Sequence, residues 1–140
     1  MVDLRLDPDV SSAIQSGVEA IADSAERSRV NDFLRAVNTN RAGVTPAGCE
    51  AVAAAGRAAY EGRTPDLPLG WQKVILVETG LAGEQLEHHD TARSHEIMKW
   101  SYGHCKALGY TIDDVDTGSE MGKYMFNINQ AIIATWSPEI

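Results

Sequence analysis

Apolar residues recur every three to four positions along most of this chain, a spacing that places them on one face of an α-helix. The first such stretch begins at Asp9 and extends to Val37, as one helix or as two, because the polar segment 22–29 contains no helix breaker. Its apolar positions are Val10, Ile14, Val18, Ile21, Val30, Phe33, Leu34 and Val37. The next segment, NTNRAGV at 38–44, is expected to form a loop.

The second helix has clear start and stop signals. Thr45 is a good N-cap, and Pro46 suits the first helical position, where no backbone N–H is needed. The Ala-rich segment that follows should end at Gly62. Its many small side chains would allow a neighbouring helix to approach closely. The prolines and the glycine at 63–70 then predict a loop.

Further helices are expected in the second half of the chain. One should run from residue 69 or 70 to His89, and the next from about 91 to 108, with a last helix beginning near Asp113. The tail, AIIATWSPEI at 131–140, either extends that helix or forms a short strand. The pattern therefore predicts an all-α fold, a bundle of four to five helices.

The length of 140 residues suits a single domain. We divide it into N-terminal helices and a loop at 1–65, a helical core at 66–130 and a tail at 131–140. A net charge of −8 argues against nonspecific nucleic-acid binding, which requires clustered Lys and Arg. No apolar run approaches the roughly 20 residues that span a bilayer. The N-terminus lacks the features of a secretory signal, so a cytoplasmic protein with free, buried Cys49 and Cys105 is expected.

An acidic cluster is the main candidate for chemistry. Glu84, Glu87 and His88 stand at i, i+3 and i+4, which would place all three on one face of the third helix. Glu96 lies in the first turn of the next helix, and Glu78 is less well placed. Few basic residues are close enough in sequence to neutralise these acids. Carboxylates from facing helices can bind Mg²⁺ or Mn²⁺ together with substrate phosphates, whereas the alternative is an acidic, solvated helix surface.

Other metal sites suit the sequence less well. A di-iron site needs a Glu-x-x-His pair on each of two helices, but Gln85 stands three residues before His88 and Ala92 three before His95. The histidines also lack a recognisable zinc-ligand spacing. His104 is expected in the core or at an interface.

Several segments, in this order, resemble the MazG-like all-α nucleoside triphosphate pyrophosphohydrolases. VILVETGLAGEQLEHHD is similar to the first motif helix of that family, and HEIMKWSYGHCKALGY to the second. TIDDV resembles the acidic segment that follows, and KYMFN at 123–127 has the family's Lys and Asn at the right separation. The resemblance covers roughly residues 70–127.

The resemblance implies an activity and an assembly. It implies Mg²⁺-dependent hydrolysis of a nucleoside triphosphate to the monophosphate and pyrophosphate. Glu84, Glu87 and Glu96 would bind the metal, Glu84 and Glu87 would thereby serve catalysis, and Lys123 would contact phosphate. It also implies a homodimer or homotetramer, because such folds bury their helices against a second copy.

The chain departs from the family pattern at two acidic positions. Leu81 and Arg93 stand where the motifs have acids. The missing acids predict a weak enzyme, an altered substrate or a relative that has lost catalysis. The alternative function is a non-enzymatic helical interaction protein, an adaptor subunit whose acidic helices are only surface. The Ala-rich second helix is suited to that role.

Overall fold

The computed structural model describes residues 17–108, apart from the side chains of residues 69, 70 and 102. This part of the chain is all-α, as predicted, and contains no strand. Residues 17–19 are helical, and four long helices follow. We number these α1 (Ser24–Ala42), α2 (Pro46–Glu61), α3 (Leu69–Gln85) and α4 (Thr91–Ala107). The predicted last helix and the tail lie outside the described residues.

Side-chain caps define the starts of three of these helices. Asp23 accepts a hydrogen bond from the Glu26 backbone N–H at 3.1 Å, so the polar segment between residues 21 and 30 begins a new helix. Thr45 caps α2 with Pro46 in its first turn, as predicted. Asp90 caps α4 in the same way, through the Arg93 backbone N–H. Each cap satisfies a backbone N–H that has no partner within the helix.

Consecutive helices pack against each other, and one apolar core runs through all four. Its largest fully buried side chains are Trp71, Phe33, Leu34, Ile75, Leu76, Leu86, Ile97, Val18 and Val30. Long-range contacts give the helix directions. Arg29, near the start of α1, donates to the Gly62 carbonyl just after α2, so these helices are antiparallel. Glu50 and Arg57 of α2 meet Arg93 and Glu96 of α4 in the same order, so α2 and α4 are parallel.

Two glycines allow α3 to approach its neighbours closely. A Cβ at Gly56 of α2 would lie 2.1 Å from Oγ1 of Thr79 on α3. A Cβ at Gly83 of α3 would lie 2.9 Å from Cγ2 of Ile97 on α4. The absence of a side chain at Gly83 therefore lets α3 and α4 pack closely at this position.

The prediction of a loop at 38–44 is wrong, because α1 continues to Ala42. Asn40 is buried and its amide Nδ2 donates to Oε1 of Gln85 at 3.0 Å, while Arg41 pairs with Glu78. These partners on α3 hold the last turn of α1 in place, although Asn and Thr are weak helix formers.

The predicted end of α3 at His89 is also wrong, because the helix ends at Gln85. Leu86 is buried, and the chain turns around it, with the backbone N–H groups of His89 and Asp90 both donating to the Leu86 carbonyl at 2.9 Å. The start of α4 agrees with the prediction, and its end at Ala107 is within one residue of it.

Both cysteines are free and buried, as expected. Burial raises the pKa of the Cys105 thiol to about 11, and burial is also the main cause of the raised pKa of Cys49. Both groups are therefore neutral thiols at physiological pH, a state that is poorly nucleophilic.

Candidate functional site

The turn between α3 and α4 carries two of the three predicted metal ligands. Glu84 lies in the last turn of α3, and Glu87 lies in the turn that follows. The Glu87 backbone N–H donates to the Glu84 carbonyl at 3.1 Å, which keeps the two residues one turn apart even though the helix has ended. Both side chains are half-buried, whereas His88, which the helical spacing placed on the same face, is exposed in the turn.

The surroundings of Glu84 disfavour its negatively charged form. Burial raises the pKa of Glu84, and the nearby carboxylate of Glu87 raises it further. Neither residue forms an ion pair with a Lys or Arg within residues 17–108. A half-buried pair of this kind gains from a bound cation, because the cation offsets both the lost hydration and the mutual repulsion.

Glu96, the third predicted ligand, has arginine partners instead. Nη1 of Arg93 lies 2.9 Å from its Oε1, and Nη1 of Arg57 lies 3.7 Å from the same oxygen. Arg93 also bonds both carboxylate oxygens of Glu50 through Nε at 3.0 Å, and that bond is the main cause of its raised pKa. The argument that few basic residues could neutralise the acids is therefore wrong for Glu96. Arg93 stands three residues before it, which the sequence already showed, whereas no sequence signal identified Arg57.

Glu78, judged less well placed from the sequence, is the more buried acid of α3. Its side chain is 6% exposed, and its Oε1 lies 2.5 Å from Nη2 of Arg41 on α1. This ion pair joins α1 to α3 and gives Glu78 a structural partner.

Among the described residues, no three His, Cys, Asp or Glu side chains form a group that could hold a metal ion. The structure brings Glu84 and Glu87 together and places Glu96 beside two arginines. Lys123, predicted to contact phosphate, lies outside the described residues. The predicted Mg²⁺ site thus has two carboxylates available, and its metal remains a prediction.

An aromatic cluster joins α2 to α4. The ring centroids of Tyr60 and His104 are 4.8 Å apart, those of Trp100 and His104 are 4.9 Å apart, and all three rings meet edge to face. Arg57 lies over the Trp100 ring and Arg63 over the Tyr60 ring. The Tyr60 ring of α2 packs against the Trp100 and His104 rings of α4, so this cluster stabilises the packing of the two helices. His104 is half-buried within it, in keeping with the sequence prediction.

Replacing Glu84 with glutamine should raise the melting temperature at pH 7.5. Because the pKa of Glu84 is higher in the folded state, its ionisation destabilises the fold above that pKa, and this penalty disappears as the pH falls below the ordinary glutamate value of 4.5. The advantage of the glutamine variant should therefore shrink between pH 7.5 and pH 4 in thermal unfolding scans. Glu61→Gln, at an exposed position on α2, controls for the loss of one negative charge. An advantage for Glu84→Gln that is equal at both pH values would contradict this reading.

Comparisons of the chain with protein-family models, curated proteins and solved structures found no match. None of the helices within residues 17–108 combines the length and the apolar character needed to cross a membrane.

Proposed function

We propose that this chain is a cytoplasmic, Mg²⁺- or Mn²⁺-dependent nucleoside triphosphate pyrophosphohydrolase with a reduced metal site. The observation that carries the proposal is the half-buried Glu84–Glu87 pair, in which burial and repulsion raise the pKa of Glu84. The resemblance of residues 70–127 to the MazG-like enzymes supports the same activity. In this proposal the products are the nucleoside monophosphate and pyrophosphate.

In this proposal the residues take the roles that the resemblance to the MazG-like enzymes implies. Glu84 and Glu87 would bind the cation through carboxylate oxygens, with water and substrate phosphates as the other ligands. When bound, the cation neutralises phosphate charge and lowers the pKa of a coordinated water. Lys123 would contact a phosphate oxygen. Glu96 would join the site only by giving up its contacts with Arg93 and Arg57, so we expect slow turnover compared with enzymes that have a full acidic set.

The test is thermal unfolding with Mg²⁺ or Mn²⁺, alone and together with a panel of nucleoside triphosphates. A ligand that binds only the folded state raises the melting temperature, by an amount set by its concentration relative to its Kd. We expect a metal-dependent nucleotide shift that is lost in Glu84→Gln and in Glu87→Gln. Pyrophosphate release should then be measured under the condition that gives the largest shift.

Two further variants sharpen the test. Glu61→Gln should keep the full shift, because this acid lies on α2 and outside the candidate pair. Glu96→Gln should keep most of it if only two carboxylates hold the cation. The absence of a shift with any metal and nucleotide would refute the proposed site, whatever the stability of the variants.

A second candidate function is a non-enzymatic adaptor that assembles through α2, and the exposed face of that helix favours it. Ala47, Ala51, Ala54 and Ala58 are exposed at i, i+4, i+7 and i+11, which is one face of a helix. Val44, at 51% exposure, lies just before α2 and is the exposed large apolar residue among those described. The proposed occupant of this face is α2 of a second copy, which gives a homodimer or, by further pairing, a homotetramer.

Light scattering after size exclusion tests this assembly. The wild type should be a dimer or tetramer, and Ala51→Arg should yield monomer with an unchanged helical circular dichroism spectrum. Ala107→Arg places the same substitution at an exposed alanine on α4 and should leave the assembly intact. A wild type that is monomeric at high micromolar concentration would refute the assembly. An oligomer without any metal-dependent nucleotide shift would favour the adaptor over the enzyme.

A further inference from the structure

We draw no further inference here: the strongest candidate, the cavity of about 210 Å³ between residues 17–23 and the loop at 64–68, is lined by Asp23, Glu26 and Asp66 among others, but the Glu26 carboxylate already accepts hydrogen bonds from Thr64 and nothing in the structure shows what the cavity would bind.

Discussion

Replacing Gly56 with alanine should lower the free energy of unfolding by about 1–3 kcal/mol, as expected for an overpacked core position. A Cβ at this position would lie 2.1 Å from Oγ1 of Thr79 and 3.1 Å from Cε1 of Phe33. Thr79 is fully buried, and its hydroxyl donates to the Ile75 carbonyl at 2.7 Å, so the side chain cannot turn away without losing a buried hydrogen bond. This strain outweighs the roughly 1 kcal/mol by which alanine favours a helix over glycine. Urea unfolding of both proteins measures the difference.

Two controls separate the close approach of the helices from helix propensity. Within residues 17–108, nothing lies within 4 Å of a Cβ added at Gly103 of α4, so Gly103→Ala should stabilise the protein by up to about 1 kcal/mol. In a Thr79→Ala background the nearest clashing atom is gone, and Gly56→Ala should cost much less than in the wild type. If Gly56→Ala stabilised the protein as Gly103→Ala does, α2 and α3 would not be in the close contact described.

The sequence predicted helix starts well because the caps are local. Thr45 with Pro46, and Asp90 before Thr91, carry their own hydrogen-bonding chemistry within three residues of the helix start. The two wrong boundaries depend on distant residues. Asn40 remains helical because Gln85 accepts from its amide, a pairing that no local pattern could indicate.

The candidate site was only partly predictable for the same reason. The spacing of Glu84 and Glu87 brought them together correctly, although the helix that was expected to hold Glu87 ends two residues before it. The chain turns at Leu86, whose side chain is only 1% exposed. This burial depends on tertiary packing, which a local pattern does not show. Glu96 lies on α4, but in the second turn and not in the first as predicted. Its carboxylate lies near Arg57 of α2, a contact that no local pattern indicates.

Replacing Arg41 with methionine should lower the free energy of unfolding by about 2–4 kcal/mol, which makes it the second large effect we expect. The substitution removes the guanidinium from the Glu78 carboxylate, whose side chain is only 6% exposed. The Glu78 carboxylate would stay poorly hydrated and would lose the guanidinium that offsets part of that cost. The partial exposure of Arg41 keeps the loss below that of a fully buried pair. Chemical unfolding at pH 7 measures this loss.

A double variant decides whether the loss of stability in Arg41→Met comes from the broken ion pair at Glu78. Arg41→Met together with Glu78→Met replaces the pair by apolar side chains and should recover most of the stability lost in the single variant. Arg35→Met breaks an ion pair with Asp32 whose side chains are 73% and 61% exposed, and should change stability by no more than about 0.5 kcal/mol. A double variant as unstable as Arg41→Met would show that the arginine acts through packing instead. Glu78 pairs with Arg41 of α1 and is not one of the proposed cation ligands. The double variant should therefore keep any Mg²⁺-dependent rise in melting temperature that requires Glu84 and Glu87. The contribution of Glu78 to stability can thus be measured separately from cation binding by Glu84 and Glu87.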